Sequence, residues 1–70
     1  MDSLKLNGAE RQFASGQMPA TLAALVEELN LEAGSLVAEV DGTIVPAAQF
    51  AQTPIAPGQS IELIKFMGGG

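Results

Sequence analysis

Cysteine, histidine, tryptophan and tyrosine are all absent from this chain. Without Cys there is no disulfide, no thiolate metal site and no thiol redox chemistry. Without His, the commonest general base and the commonest neutral metal ligand are missing as well. A self-sufficient enzyme is therefore not expected. Positive charge is scarce too: Lys5, Arg11 and Lys65 face eight carboxylates, for a net charge of −5. A nucleic-acid binder needs several cations to displace phosphate counterions, and an anionic membrane surface repels an acidic protein. Neither is an expected partner, whereas a protein carrying basic patches is. No apolar run approaches the about 20 residues that cross a bilayer, and the amino terminus lacks the basic start and apolar stretch of an export signal. The cytoplasm is the expected location.

What is present suits one small folded domain. Of the 70 residues, 47% are hydrophobic and 16% charged, which sets the chain apart from charge-swollen disordered segments. A core of this size rarely supplies more than roughly 3–5 kcal/mol, so each buried side chain carries weight.

Leu4-Lys5-Leu6 alternates apolar and polar and runs into Asn7-Gly8. That dipeptide favours a two-residue hairpin turn, because a type I′ turn needs positive φ at both central positions. Ala9 to Phe13 returns as a weaker strand, with Phe13 inward and Arg11 on the same face. A loop through Gly16 and Pro19 follows. Thr21 is placed to cap a helix whose stripe is Leu22, Leu25, Val26 and Leu29, with Glu27 and Glu28 towards solvent. The spacing predicts about ten helical residues, ended by Asn30, with Gly34 in the next turn.

Leu36 to Val40 reads as a strand, Asp41-Gly42 as a second hairpin turn, and Thr43-Ile44-Val45 as a short return stopped by Pro46. Ala47 to Phe50 suits a short helical turn, and Pro54 and Pro57-Gly58 confine Ile55 to a loop. The last strand spans Ile61 to Met67. Strand, strand, helix, strand, short strand, strand is the order of an α+β, ubiquitin-like β-grasp fold: a mixed sheet of four to five strands with one main helix on one face. The expected division is a β-grasp domain over 1–67 and a flexible glycine tail over 68–70.

Two places have chemical potential. Glu39 and Asp41, two apart on a strand, share a face, but the ordinary reading is a solvated outer face beside a turn. Gly68-Gly69-Gly70 is less ordinary. With glycine usage near 7%, three in a row at a defined position has a chance probability on the order of 0.0003. Lacking Cβ atoms, such a segment can thread a slot that admits only backbone. Extended, three residues span roughly 10 Å, enough to carry a carboxylate into another protein's active site. On the last strand, alternation puts Ile61 and Leu63 inward and leaves Ile64 and Phe66 as exposed apolar groups, the usual mark of a protein interface.

The segment from Ile61 through Lys65, Phe66 and Met67 to Gly70 resembles the end of the thiamine-pathway sulfur-carrier family, ThiS. Val40-Asp41-Gly42-Thr43-Ile44-Val45-Pro46 resembles that family's turn-and-strand signature, and Asn7-Gly8 and the helix start at Thr21-Leu22 agree. Asp41 stands where that family usually has Asn, Ala47 where a basic residue is common, and Phe50 where Trp is frequent. The resemblance implies a carrier and not an enzyme. A ubiquitin-activating-like adenylyltransferase of the ThiF type would use ATP and magnesium to adenylate the Gly70 carboxylate. Sulfur from a cysteine-desulfurase relay would then give a thiocarboxylate, and thiazole synthase of the ThiG type would take that sulfur. Gly70 would be the modified residue, with Gly68, Gly69, Met67, Phe66 and Ile64 serving as tail and partner contacts. The carrier itself would bind no cofactor and no metal. The alternatives are the small subunit of molybdopterin synthase, with the same thiocarboxylate, and a protein modifier joined to lysines through Gly70.

Overall fold

A computed structural model describes residues 1–66. β1 (Asp2–Leu6) and β2 (Ala9–Phe13) form the first hairpin. Its turn has Asn7 at φ 52° and Gly8 at φ 83°, the left-handed pair that the Asn-Gly dipeptide supplies at least steric cost. β3 (Leu36–Val40) and β4 (Thr43–Pro46) form a second hairpin of the same kind, with Asp41 at φ 50° and Gly42 at φ 87°. Asp41 is therefore a turn residue and not a strand neighbour of Glu39. Its carboxylate is tied to backbone, Oδ1 accepting from the Ser60 N–H at 2.9 Å.

β5 (Ser60–Lys65) joins the hairpins. The sheet has five strands in the order β2-β1-β5-β3-β4, with β5 parallel to β1 and antiparallel to β3. The last strand begins one residue earlier than its alternation predicts and ends at Lys65. The Phe66 N–H still donates to the Ser35 carbonyl at 3.1 Å, carrying the ladder one residue further. The expected strand end at Met67 and the expected 67/68 boundary lie outside the described residues.

One face of the sheet is covered by α1 (Leu22–Glu28). Thr21 caps it as expected, its hydroxyl accepting from the Ala24 N–H at 3.1 Å. The helix has seven residues and not about ten, because Leu29 already closes the cap and Asn30 turns left-handed at φ 58°. Leu22, Leu25 and Val26 are fully buried, and Leu29 is half-buried at the helix end. A 3₁₀ segment, Ala47–Gln52, lies beside α1 and sinks Phe50 into the core, where it is the largest fully buried side chain. Thr53 to Ile55 runs back along the residues before the helix: the Leu22 N–H donates to the Thr53 carbonyl, and the Ile55 N–H to that of Ala20. Beneath these elements Leu4, Leu36, Ala38, Val45 and Ile61 form the sheet side of one continuous core. This is the expected α+β, β-grasp arrangement.

The inner face of β5 behaves as alternation predicts at Ile61, which has no exposed surface. Leu63 is only half-buried, packed on the core's margin opposite Ala38.

Candidate functional site

Among the described residues no helix covers the second face of the sheet, and register decides what that face displays. Val37 lies between Pro46 of β4 and Ile64 of β5. One step along, Glu39 lies between Ile44 of β4 and Glu62 of β5. Phe66 follows Ile64 by two residues and shares its face. Ile44, Ile64 and Phe66 are 57%, 43% and 48% exposed, high values for side chains of this size. Together with Val37 they make one apolar surface across three strands, next to a directly opposed pair of glutamates.

Each strand puts its residues there for the same reason. Leu36, Ala38 and Val40 turn towards the core, so Val37 and Glu39 turn away. Val45 is buried against the helix side, so Ile44 and Pro46 face outward. Of the expected partner contacts, Ile64 and Phe66 are brought together on this surface. Met67, Gly68, Gly69 and Gly70 lie outside the described residues.

Val37 and Ile44 belong to the same surface and were not expected from sequence. The signal was the alternation within Leu36–Val40 and Thr43–Val45, which fixes the outward residues once the inward ones are known. Ala47 is half-buried against the core beside this surface. Phe50 is fully enclosed and plays its part in packing.

Charge on the surface is lopsided. Lys5 stands opposite Glu10 and beside Ser60, one outward position along β5 from Glu62, while Glu39 and Glu62 face each other directly. Arg11 belongs to the other face, its guanidinium 5.9 Å from the centre of the Phe13 ring. Among the described residues no cluster of three carboxylates is placed to hold a metal ion, and no helix is long and apolar enough to cross a membrane.

Comparison with known proteins places this geometry. A crystal structure of a thiamine biosynthesis protein (ThiS) from Geobacter metallireducens superposes with a TM-score of 0.78, at 26% identity, covering 97% of this chain and 99% of that one. A thiazole synthase of Paramagnetospirillum magneticum is 34% identical over 67 residues. That match takes in 96% of this chain but only 20% of the synthase, so the chain spans about a fifth of the relative's length. The ThiS family profile matches residues 4–70, from the first buried leucine through the glycine run. By this match and by the shared fold, the chain belongs to the ThiS family.

Proposed function

We propose that the chain is a sulfur carrier of thiamine (thiazole) biosynthesis, acting through the carboxylate of Gly70. The observation that carries this reading is the family match across residues 4–70, which includes Gly68-Gly69-Gly70. A carboxylate resists nucleophilic attack because its charge is delocalised. Attack of a Gly70 oxygen on the α-phosphorus of ATP releases pyrophosphate and leaves an acyl-adenylate. Sulfur then displaces AMP to give a thiocarboxylate, whose sulfur is nucleophilic enough to be donated onward.

The chain's side chains suit a passive role in that sequence. With neither Cys nor His it offers no nucleophile of the usual kind, so the chemistry belongs to partners. An adenylyltransferase of the ThiF type, using ATP and magnesium, performs the first step, and a cysteine-desulfurase relay supplies the sulfur. Thiazole synthase is the acceptor, a reading supported by the relative of that name, which holds the matching stretch within its own chain. Ile64 and Phe66 are contacts for these partners, and Gly68 and Gly69 thread the active-site slot.

Intact-mass spectrometry tests the reading. The protein is incubated with the adenylyltransferase, ATP-magnesium and bisulfide as sulfur donor. The expected product is heavier by one sulfur replacing one oxygen, located at Gly70 by fragmentation. Adducts to lysines of other proteins, without any sulfur-substituted free chain, would assign a modifier instead. Neither product from a demonstrably active partner would defeat the carrier reading.

A further inference from the structure

The two turns that flank β5 are chemically alike: Asn7-Gly8 and Asp41-Gly42, each with both residues at positive φ. Each also sends a side-chain oxygen to a β5 amide, Asn7 to the Leu63 N–H at 2.8 Å and Asp41 to the Ser60 N–H at 2.9 Å. Asn-Gly is the dipeptide in which a backbone nitrogen attacks the preceding side chain most readily, because glycine places no Cβ in the way. The surroundings leave that approach open. A Cβ built on Gly8 would meet nothing within 4 Å, and Asn7 and Gly8 are both exposed to water.

The folded geometry opposes the attack. Ring closure has to bring Asn7 Cγ onto the Gly8 nitrogen. A turn of this kind holds ψ of its first central residue at roughly +30°, which carries Cβ away from that nitrogen. The Leu63 N–H fixes the side chain in the same arrangement, turned towards β5. That bond is lost when β5 leaves the sheet, and the hairpin left behind is marginal on its own.

We propose that Asn7 is a site of spontaneous isoaspartate formation, gated by β5. Once the side chain is released, the Gly8 nitrogen gives its proton to solvent and bonds to Asn7 Cγ. The Cγ–Nδ2 bond breaks, ammonia leaves, and a succinimide closes. Water then opens the ring on one of two sides, with no oxidant or reductant required. Cleavage of the new Cγ–N bond gives aspartate. Cleavage between the main-chain carbonyl carbon and the nitrogen gives isoaspartate, whose main chain runs through Cγ and is one methylene longer. The two products differ in consequence. Asp41 shows that a carboxylate at this turn position makes the same bond to β5. The lengthened chain does not fit a two-residue turn, so isoaspartate withdraws the Leu63 partner and makes a transient opening permanent.

The test incubates the full chain at mildly alkaline pH in graded urea, from folded to fully unfolded conditions. Electron-based fragmentation separates asparagine, aspartate and isoaspartate at position 7, while hydrogen exchange is followed at the Leu63 amide. Conversion is expected to be about tenfold or more slower in the folded chain than above the unfolding midpoint, and to rise in step with Leu63 exchange. Asn30, the other asparagine, is followed by Leu31 and is expected to stay slow throughout. A chain synthesised with isoaspartate in place of Asn7 melts below the parent, whereas Asn7→Asp melts close to it. Conversion as fast in the folded chain as in urea, or flat while Leu63 exchange accelerates, overturns the gate. An Asn7 that stays intact above the midpoint overturns the site, and an isoaspartate chain that melts with the parent overturns the permanent opening.

Discussion

The side-chain oxygen of Asn7 accepts a hydrogen bond from the Leu63 N–H at 2.8 Å, across 56 residues of chain. Asn7 sits in the turn between β1 and β2, so one residue both shapes a local hairpin and fastens the last strand. Asp41, in the corresponding turn of the other hairpin, does the same for Ser60. β5 is thus gripped by a turn on either side as well as by its two ladders.

Removing that oxygen and removing the turn conformation are separable losses. Asn7→Gly keeps easy access to positive φ but leaves the Leu63 amide without its protein partner, and is expected to cost about 1 kcal/mol. Asn7→Ala adds the strain of a left-handed alanine and is expected to cost about 2–3 kcal/mol in all. Urea unfolding of the two variants measures the difference. Equal midpoints would show that the hydrogen bond alone matters.

Ile61 and Leu63 share the inner face of β5 but differ in enclosure. Ile61→Ala should cost about 2–5 kcal/mol, comparable with the whole stability expected of so small a core. Leu63→Ala removes a half-buried side chain at the core's margin and should fall below that range. Thermal melts rank the pair, and a larger loss at Leu63 would mean that the margin packs more tightly than its exposure indicates.

The helix depends on its cap more than a longer one would. Thr21→Ala removes the acceptor of the Ala24 N–H and is expected to cost about 1 kcal/mol. Thr21→Ser should recover most of it. The helical circular dichroism signal, followed through thermal unfolding, reports both.

The reacting end is expected to be sensitive to length. Deleting Gly70 retracts the carboxylate by roughly 3.5 Å, and a misplacement of about 1 Å can already cost a hundredfold in rate. Appending one alanine should be as damaging, with the melting temperature unchanged in both variants. Pyrophosphate release with the adenylyltransferase and ATP is the measurement, and full activity from either variant would exclude Gly70 as the reacting end.

Much of this fold is legible in the sequence because its punctuation is local. Asn7-Gly8, Asp41-Gly42 and Asn30 all adopt the positive φ that their residue types favour. Thr21 caps where its hydroxyl predicts. The helix length was less legible, because Leu29 continues the apolar stripe even though the backbone has already closed around it. The outer face was legible only in part. Ile64 and Phe66 follow from the alternation of one strand. The opposition of Glu39 to Glu62 depends on the pairing of residues 23 apart in sequence, which no local pattern encodes.

The position of β5 also governs the order in which the domain can assemble. Each hairpin brings together residues close in sequence and can close within microseconds. Neither touches the other in the sheet, because β5 lies between them. A chain truncated before Ser60 therefore holds two separate ribbons and a helix with no strand to unite them. Isolated ribbons of that kind are marginal in water. The final strand works as a keystone: its arrival converts local pieces into a sheet, and its amides are expected to exchange with solvent only when the whole domain opens.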